Sequence, residues 1–264
     1  MKKYFILILI LYLVNSLTGC SNFKENNTSS IERENIYVAI AASMKNCFDN
    51  EIIPEFEKEH TNIKVIPTYD SSGKLKIQIE EGMNTDVFIS ASMEYMNTLK
   101  EKNLIDKNSI INILQNKIVL ILPKESDYNI NSFEEILKVD TIALGDPRSV
   151  PAGQYAKEVF EHYNIWEDVL KKTSLGNNVI EVLNWVSENS ADAGVVYATD
   201  AASNKNVRII LEAPEDSVSK IIYPIGIIKS SEKKDTAQIF INFLRDKNIV
   251  HIFERYGFTY IPHN

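Results

Sequence analysis

Basic residues, cysteines and histidines are scarce in this chain of 264 residues, and each shortage argues against a class of function. Lysines and arginines number 28 against 36 aspartates and glutamates, which gives a formal net charge of −8. Binding of nucleic acid needs a basic surface, so we expect no nucleic-acid partner. The composition, with 44% hydrophobic and 24% charged residues, is otherwise that of an ordinary soluble globular protein.

The positions of the histidines do not suggest a catalytic role. They are His60, His162, His251 and His263. None lies in a loop that connects a predicted strand to a helix, and the GxSxG motif of many serine hydrolases is absent. Histidines, cysteines and carboxylates also do not cluster at the spacing of metal ligands. We therefore expect neither an enzyme nor a cofactor, and no directly coordinated metal ion.

The N-terminal residues have the pattern of an exported lipoprotein. Two lysines precede an apolar run from Phe5 to Val14, a combination typical of a signal peptide. The motif LTGC, which ends at Cys20, resembles the lipobox that is cleaved before a lipid-bearing cysteine; a plain secretory signal is the alternative. We predict a signal peptide over 1–19, lipid attachment at Cys20 and a flexible tether over 20–35. Only Cys47 then remains, so we expect no internal disulfide.

Strand-like and helix-like segments alternate after the tether. The β-rich run Ile36–Ala41, for example, is followed by helical spacing of apolar residues over Met44–His60. Alternation of this kind predicts an α/β architecture with mostly parallel sheets. Ligands of such sheets bind at the carboxyl ends of strands, where loops lead into helix N-termini. The loops between strands and helices are therefore the place to search for a site.

Five of these loops offer hydroxyl groups, small side chains or free backbone N–H groups. They contain, in chain order, Ser43; Ser71 and Ser72; Ala152; Val179; and Tyr197. Ser43 is expected at a helix N-cap. Each serine taken alone is explained as well by a plain cap, and Tyr197 by packing at a strand end. Five such loops together favour a ligand site.

The segment Asp146–Ala156 (DPRSVPAGQYA) gives the strongest indication of anion binding. It predicts a loop that stops at Pro151 and a helix whose first residues, Ala152 and Gly153, have almost no side chain. The first N–H groups of a helix lack partners and concentrate roughly half a positive charge. Small residues let an anion approach these donors, although they would serve helix packing equally well.

Several motifs together resemble the molybdate-binding proteins of ABC importers. They are AASM, SSGKL, TDVFISAS, GDPRSVPAGQYA, GVVYATDA and IFERYGF, which follow the family's order from about Ile36 to Phe258. The resemblance implies an α/β, two-lobed, periplasmic-binding-protein-like (type II) fold with a ligand cleft between the lobes. We expect one lobe over 35–116 plus 224–264 and the other over 117–223.

The family's ligand contacts are two serine hydroxyls, two backbone N–H groups and a tyrosine hydroxyl. Carried over motif by motif, they fall on Ser43, Ser72, Ala152, Val179 and Tyr197. Ser71 is the alternative to Ser72. The resemblance further implies that molybdenum is bound only as its oxyanion, through these five residues.

The chemistry of molybdate agrees with this set of residues. Molybdate at neutral pH is a fully deprotonated dianion, so a matching pocket needs hydrogen-bond donors only, and a carboxylate aimed at it would repel it. Phosphate often keeps a proton and needs an acceptor. Asp70 and Asp146 lie beside the loops and could supply one, although a turn and a loop cap explain them as well. Lys74 and Arg148 are expected to face solvent. Sulfate and phosphate therefore remain alternative ligands.

We accordingly expect an exported lipoprotein, anchored to the outer face of the cell membrane, that captures molybdate and also tungstate. It would deliver the anion to the permease subunits of an ABC importer and act as a monomer. The anion would stabilise the closed form, because only closure brings the donors of both lobes onto it.

Overall fold

The computed structural model describes residues 33–262, which form two β-sheets with helices packed against them. The predicted signal peptide, Cys20 and most of the predicted tether lie outside the described residues, as does His263. Among residues 33–262, no helix combines the length and the apolar character needed to cross a membrane.

The first sheet has six strands. They are β1 Glu34–Ala41, β2 Ile63–Asp70, β3 Val87–Ile89, β4 Ile111–Gln115, β10 Ile222–Ile227 and β11 Thr259–Tyr260. Their order across the sheet is β11-β4-β10-β3-β1-β2. Since β1 begins at Glu34, regular structure starts within the last residues of the predicted tether.

The second sheet has five strands. They are β5 Ile118–Pro123, β6 Ile142–Gly145, β7 Thr173–Gly176, β8 Ala193–Tyr197 and β9 Val207–Glu212, in the order β7-β6-β8-β5-β9. Every residue of β5 and β8 is buried. A continuous apolar run such as IVLILP suits a central strand that is covered on both faces.

The helices follow most of the segments that the apolar spacing predicts. They are α1 Lys45–Cys47, α2 Ile53–Glu59, α3 Ser72–Glu80, α4 Met93–Glu101, α5 Pro151–His162, α6 Trp166–Leu170, α7 Val179–Ser187, α8 Ala198–Ala202, α9 Lys234–Phe243 and α10 Lys247–Arg255. A 3₁₀ turn over Ala42–Met44 precedes α1, and a π-helical turn over Phe48–Ile52 joins α1 to α2. Further 3₁₀ turns span Lys107–Ser109 and Glu134–Lys138.

The prediction of mostly parallel sheets is wrong, because both sheets are mixed. β1 pairs in parallel with β2 and β3, and β6 with β7 and β8. β10 runs antiparallel to β3 and β4, however, and β5 runs antiparallel to β8 and β9. Only Asn116 and Lys117 separate β4 from β5, and β10 returns the chain to the first sheet, so the two strands that follow the crossings, β5 and β10, pair antiparallel with their neighbours.

The register of the parallel strands determines which loops are neighbours. Ala41 at the end of β1 pairs with Asp70 at the end of β2, so the loops that contain Ser43 and Ser72 leave the first sheet side by side. Gly145 at the end of β6 pairs in the same way with Gly176 at the end of β7. The loops that lead to α5 and α7 are therefore adjacent at the edge of the second sheet.

Candidate functional site

Loops from the two sheets enclose one small pocket. All five predicted contact residues line it, together with the alternative serine: Ser43, Ser71, Ser72, Ala152, Val179 and Tyr197. The rest of its lining consists of alanines, a valine and a proline. Among the described residues that line this pocket, none carries a charge.

The pocket is small. Its cavity volume is about 10 Å³, roughly the volume of one water-sized sphere. A compact ion suits such a space, and a sugar or a peptide does not. A wider cleft of about 590 Å³ lies beside Arg33 and Glu57. It is open to solvent and these two residues form an ion pair in its lining, so it is neither small nor uncharged.

Two hydroxyl groups of the pocket are buried without a partner. Ser71 and Tyr197 expose only 3% and 1% of their surface to solvent. Neither hydroxyl forms a hydrogen bond to any residue between 33 and 262. Burial raises the pKa of Tyr197 well above its usual value, so the phenol keeps the proton that it can donate. A buried polar group without a partner destabilises the fold, so a pocket lined by two such groups calls for an explanation.

The other two serines of the pocket have neighbours within hydrogen-bond distance. Ser72 Oγ accepts the backbone N–H of Ala91 at 2.9 Å. Ser43 Oγ lies 2.9 Å from the hydroxyl oxygen of Tyr223. The prediction that Ser43 caps a helix is wrong: it lies inside the 3₁₀ turn Ala42–Met44, whose cap position is Ala41, and its hydroxyl pairs with a distant strand instead.

Two helix N-termini supply backbone donors. α5 begins at Pro151, as predicted, and because proline has no N–H the first donor of this helix is Ala152. α7 begins at Val179, and the side chain of its cap residue Asn178 accepts the N–H of Glu181 at 3.0 Å. This cap satisfies a later donor and leaves the Val179 N–H among the unpaired ones at the helix end.

Gly153 serves packing and not the approach of an anion. A Cβ atom at this position would lie 2.0 Å from the carbonyl oxygen of Gly145. Only glycine therefore lets α5 pack this closely against the end of β6. Of the two small residues after Pro151, Ala152 alone lines the pocket.

The neighbouring carboxylates are engaged elsewhere. Asp70 Oδ1 accepts the N–H of Ser71 at 2.7 Å, the turn that was the alternative explanation for it. The side chain of Arg148 binds Asp146 and holds the pKa of that carboxyl below its usual value. Neither carboxylate lines the pocket. Arg148 is exposed as predicted, whereas Lys74 is half-buried and donates to Asn177 Oδ1 at 3.0 Å.

Asp200 is a buried carboxyl close to the site. Burial raises its pKa well above the usual value and so favours the neutral carboxylic acid, a form that does not repel an anion. One of its oxygens has no hydrogen-bond partner in the described part of the chain. Between residues 33 and 262, no three histidine, cysteine or acidic side chains come close enough to hold a metal ion.

Direct contacts join the loops of the two sheets around the pocket. The N–H of Gly73 donates to the carbonyl of Ser149 at 3.0 Å, and a Cβ atom on Gly73 would lie 2.5 Å from that oxygen. Gln154 Nε2 donates to Glu94 Oε2 at 3.2 Å. The close approach of Gly73 left no signal in the sequence beyond the glycine itself.

Comparisons with known proteins support the fold and the solute-binding role. The family of bacterial extracellular solute-binding proteins matches residues 36–259. YvgL of Bacillus subtilis (strain 168), a candidate ABC transporter substrate-binding lipoprotein, is 37% identical to this chain over 98% of each. The molybdate-binding protein ModA of Escherichia coli (strain K12) is 35% identical, over 85% of this chain and 88% of its own length.

One solved structure is similar in both sequence and fold. It is the substrate-binding domain of a candidate molybdenum ABC transporter from Clostridium difficile, with 33% identity and a TM-score of 0.67. The match covers 86% of this chain and 99% of that one. The expected α/β, two-lobed type II fold is thereby confirmed, while the lobe boundaries at 116–117 and 223–224 stay a prediction.

Proposed function

We propose that this chain, which belongs to the family of bacterial extracellular solute-binding proteins, captures molybdate outside the cytoplasm and delivers it to an ABC importer. The observation that carries the proposal is a small pocket lined by hydroxyl groups, helix N-termini and apolar residues, without a charged side chain among its described lining. Such a pocket offers donors to a ligand that only accepts.

The donors come from five loops and match a compact oxyanion. Serine hydroxyls of the first sheet, at Ser43 and Ser72, would bind on one side. The N–H groups of Ala152 and Val179 and the hydroxyl of Tyr197 would bind from the second sheet. Two helix N-termini balance part of the dianion's charge without a cationic side chain. Tungstate has the same charge and shape as molybdate, so we include it among the ligands.

Phosphate and catalysis fit the same site less well. A protonated phosphate needs an acceptor, and the nearest candidates, Asp70 and Asp146, are bound to Ser71 and Arg148. A hydrolase needs a base beside its nucleophile, and the pocket lining contains no histidine, lysine or carboxylate among the residues described. We therefore propose a binding protein rather than an enzyme.

Ligand capture is proposed to depend on closure of two lobes, 35–116 plus 224–264 and 117–223. Each sheet contributes only part of the donor set, so the complete set exists only while the loops of both sheets are in contact. A ligand that binds all donors stabilises the closed arrangement by its extra affinity for it. A closed, loaded receptor is a form that a permease can distinguish from an empty one.

Anchoring at Cys20 is part of the proposal. The motif LTGC stands at the end of the apolar N-terminal run, and the similar protein YvgL is named as a lipoprotein. A lipid on Cys20 would hold a monomeric receptor on the outer face of the membrane, near its permease. Replacing Cys20 by alanine should move the protein out of the membrane fraction.

Thermal unfolding of the mature domain tests the ligand. A ligand present at a thousand times its dissociation constant stabilises the folded state by about 4 kcal/mol. For a protein of this size, the melting temperature should rise on the order of 8–16 °C in millimolar molybdate. A melting temperature that molybdate leaves unchanged would contradict the proposal.

A further inference from the structure

Three consecutive residues at the start of α3 connect the pocket to the second sheet. Ser72 lines the pocket, and the N–H of Gly73 donates to the carbonyl of Ser149 at 3.0 Å. Lys74 is half-buried, and its Nζ donates to Asn177 Oδ1 at 3.0 Å. This last bond, which we call the rim bridge, joins side chains from the two sheets just outside the pocket.

Asn177 is held in place by the local structure at the start of α7. Its backbone N–H donates to Glu181 Oε2 at 2.5 Å. The next residue, Asn178, caps the helix, and Val179 begins it and lines the pocket. Asn177 therefore lies two positions before a pocket residue, just as Lys74 lies two positions after one.

Lys74 also lies near a carboxylate of its own segment. Asp70 Oδ1 is 3.9 Å from Lys74 Nζ, close to the limit of an ion pair. The same oxygen accepts the N–H of Ser71 at 2.7 Å. The shorter of these two contacts of Lys74 is the one that crosses between the sheets. Its donor is charged, which makes a hydrogen bond stronger than one between neutral groups.

We propose that the rim bridge holds the loops of the two sheets together over a bound anion and so sets how fast the anion leaves. This inference rests on the proposed oxyanion-binding function and adds a pair of residues that act without touching the ligand, since neither Lys74 nor Asn177 lines the pocket. The bond exists only while the loops of both sheets are in contact. It therefore stabilises the closed form and not the open form that the anion enters. Its loss should speed release and leave the association rate unchanged.

Radioactive molybdate bound to the mature domain measures this effect. The loaded domain is mixed with an excess of unlabelled molybdate, and the label that stays bound is counted over time. Lys74→Met keeps the length of the side chain and removes the donor, so release should be roughly twofold to tenfold faster, the value of one hydrogen bond. The association rate, and the melting temperature without ligand, should stay close to those of the wild type.

A double-mutant cycle shows whether the bond itself is responsible. Lys74 places a positive charge near a pocket that would hold a dianion, so its replacement alone could act through charge. Asn177→Ala removes only a neutral acceptor and should also speed release roughly twofold to tenfold. The double variant should release no faster than Lys74→Met, because the bond is lost only once. A pure effect of charge would leave Asn177→Ala at the wild-type rate.

Lys76→Met is the matched control. Lys76 lies on the same helix and carries the same charge, but its Nζ is 3.2 Å from Glu80 Oε1 within that helix. The substitution removes one positive charge and leaves the rim bridge in place. Its release rate should equal that of the wild type.

The outcomes separate the rim bridge from the function on which it rests. A wild-type domain that retains no labelled molybdate would overturn the proposed function. If the wild type binds molybdate, an unchanged release rate in Lys74→Met or in Asn177→Ala would overturn the role of the rim bridge alone. Single effects that multiply in the double variant, or an equal acceleration in Lys76→Met, would overturn it as well.

Discussion

Ser71 and Tyr197 line the same pocket from different sheets, and the described chain gives neither of their hydroxyl groups a hydrogen-bond partner. Ser71 precedes α3 at the end of β2, and Tyr197 is the last residue of β8. Leaving a buried donor unpaired costs about 1–3 kcal/mol each. A ligand that accepts from both would remove this penalty only when the two sheets stay together.

Replacing Tyr197 by phenylalanine should weaken molybdate binding without weakening the fold. The ring and its contact with Tyr155 remain, while a donor to a dianion is lost, which costs about 1.5–3 kcal/mol. Affinity should therefore fall roughly 10- to 150-fold. Calorimetric titration gives the affinity and thermal unfolding without ligand gives the stability. An unchanged affinity would reduce Tyr197 to a packing residue.

Alanine variants of the two adjacent serines should separate their roles. Ser72→Ala removes the acceptor of the Ala91 N–H, so it should lower both stability and affinity. Ser71→Ala removes a hydroxyl that has no partner within residues 33–262, so it should leave the unliganded fold as stable or more stable. Any loss of molybdate affinity in Ser71→Ala identifies it as a further contact. Equal losses of stability in both variants would contradict this assignment.

Replacing Gly73 by alanine should prevent the loops of the two sheets from meeting. The new Cβ atom would lie 2.5 Å from the carbonyl oxygen of Ser149. Overpacking of this kind costs about 1–3 kcal/mol, which lowers affinity roughly 5- to 150-fold. Gly73 lies in the first turn of α3, where alanine is a better helix former, so the unliganded protein should not melt earlier.

Gly82→Ala is the control for the Gly73 variant. Gly82 has a φ of +92° and nothing within 4 Å of an added Cβ atom, so alanine is strained there but meets no neighbour. This variant should lose stability and keep its affinity. The account of Gly73 fails if Gly73→Ala loses stability and keeps affinity in the same way.

Stability should depend on pH through Asp200. Its raised pKa means that the folded state holds a proton which the unfolded state releases above about pH 4, so stability falls as the pH rises from there. Asp200→Asn has no such proton to release. It should therefore avoid this loss of stability, which is up to about 1.4 kcal/mol per pH unit in the wild type. Melting temperatures of both proteins from about pH 4 upward give the comparison, and parallel curves would contradict it.

Asp146 should affect the pH dependence of stability in the opposite direction, and Asp146→Asn tests this. Arg148 lowers the pKa of Asp146, so this carboxylate adds stability above about pH 4 that is lost as the pH falls through its folded pKa. Since Arg148 is exposed, the contribution is small. The wild type should lose this contribution to stability only in acid, where Asp200 has no effect.

The sequence predicts the strand-to-helix loops better than the sheets that hold them. The start of α5 at Pro151 and of α7 at Val179 follow from local signals, namely a proline and a capping asparagine. The loops of each sheet are neighbours because the parallel strands before them end at the same edge of the sheet. The alternation of strands and helices in the sequence indicates this arrangement. The strands β7 and β11 have four and two residues, too few for an alternating pattern to show in the sequence.

The partners of the site residues could not be read from the sequence. Ser43 pairs with a residue 180 positions away, and Asn116 with one 107 positions away. Such contacts follow from the way the chain crosses between sheets and leave no local pattern. The same holds for the mixed direction of the strands, because the antiparallel partners β10 and β3, and β5 and β8, are far apart in the chain.

Competition between molybdate and other dianions on the mature domain tests the central claim most directly. Sulfate also accepts only, so the pocket must distinguish it by size, since a smaller ion cannot reach donors held on both sheets. Two lost contacts weaken binding roughly 10²- to 10⁴-fold, so sulfate should displace molybdate only at a corresponding excess, while tungstate should compete at comparable concentration. Displacement of molybdate by equimolar sulfate would make this a sulfate receptor and contradict the account.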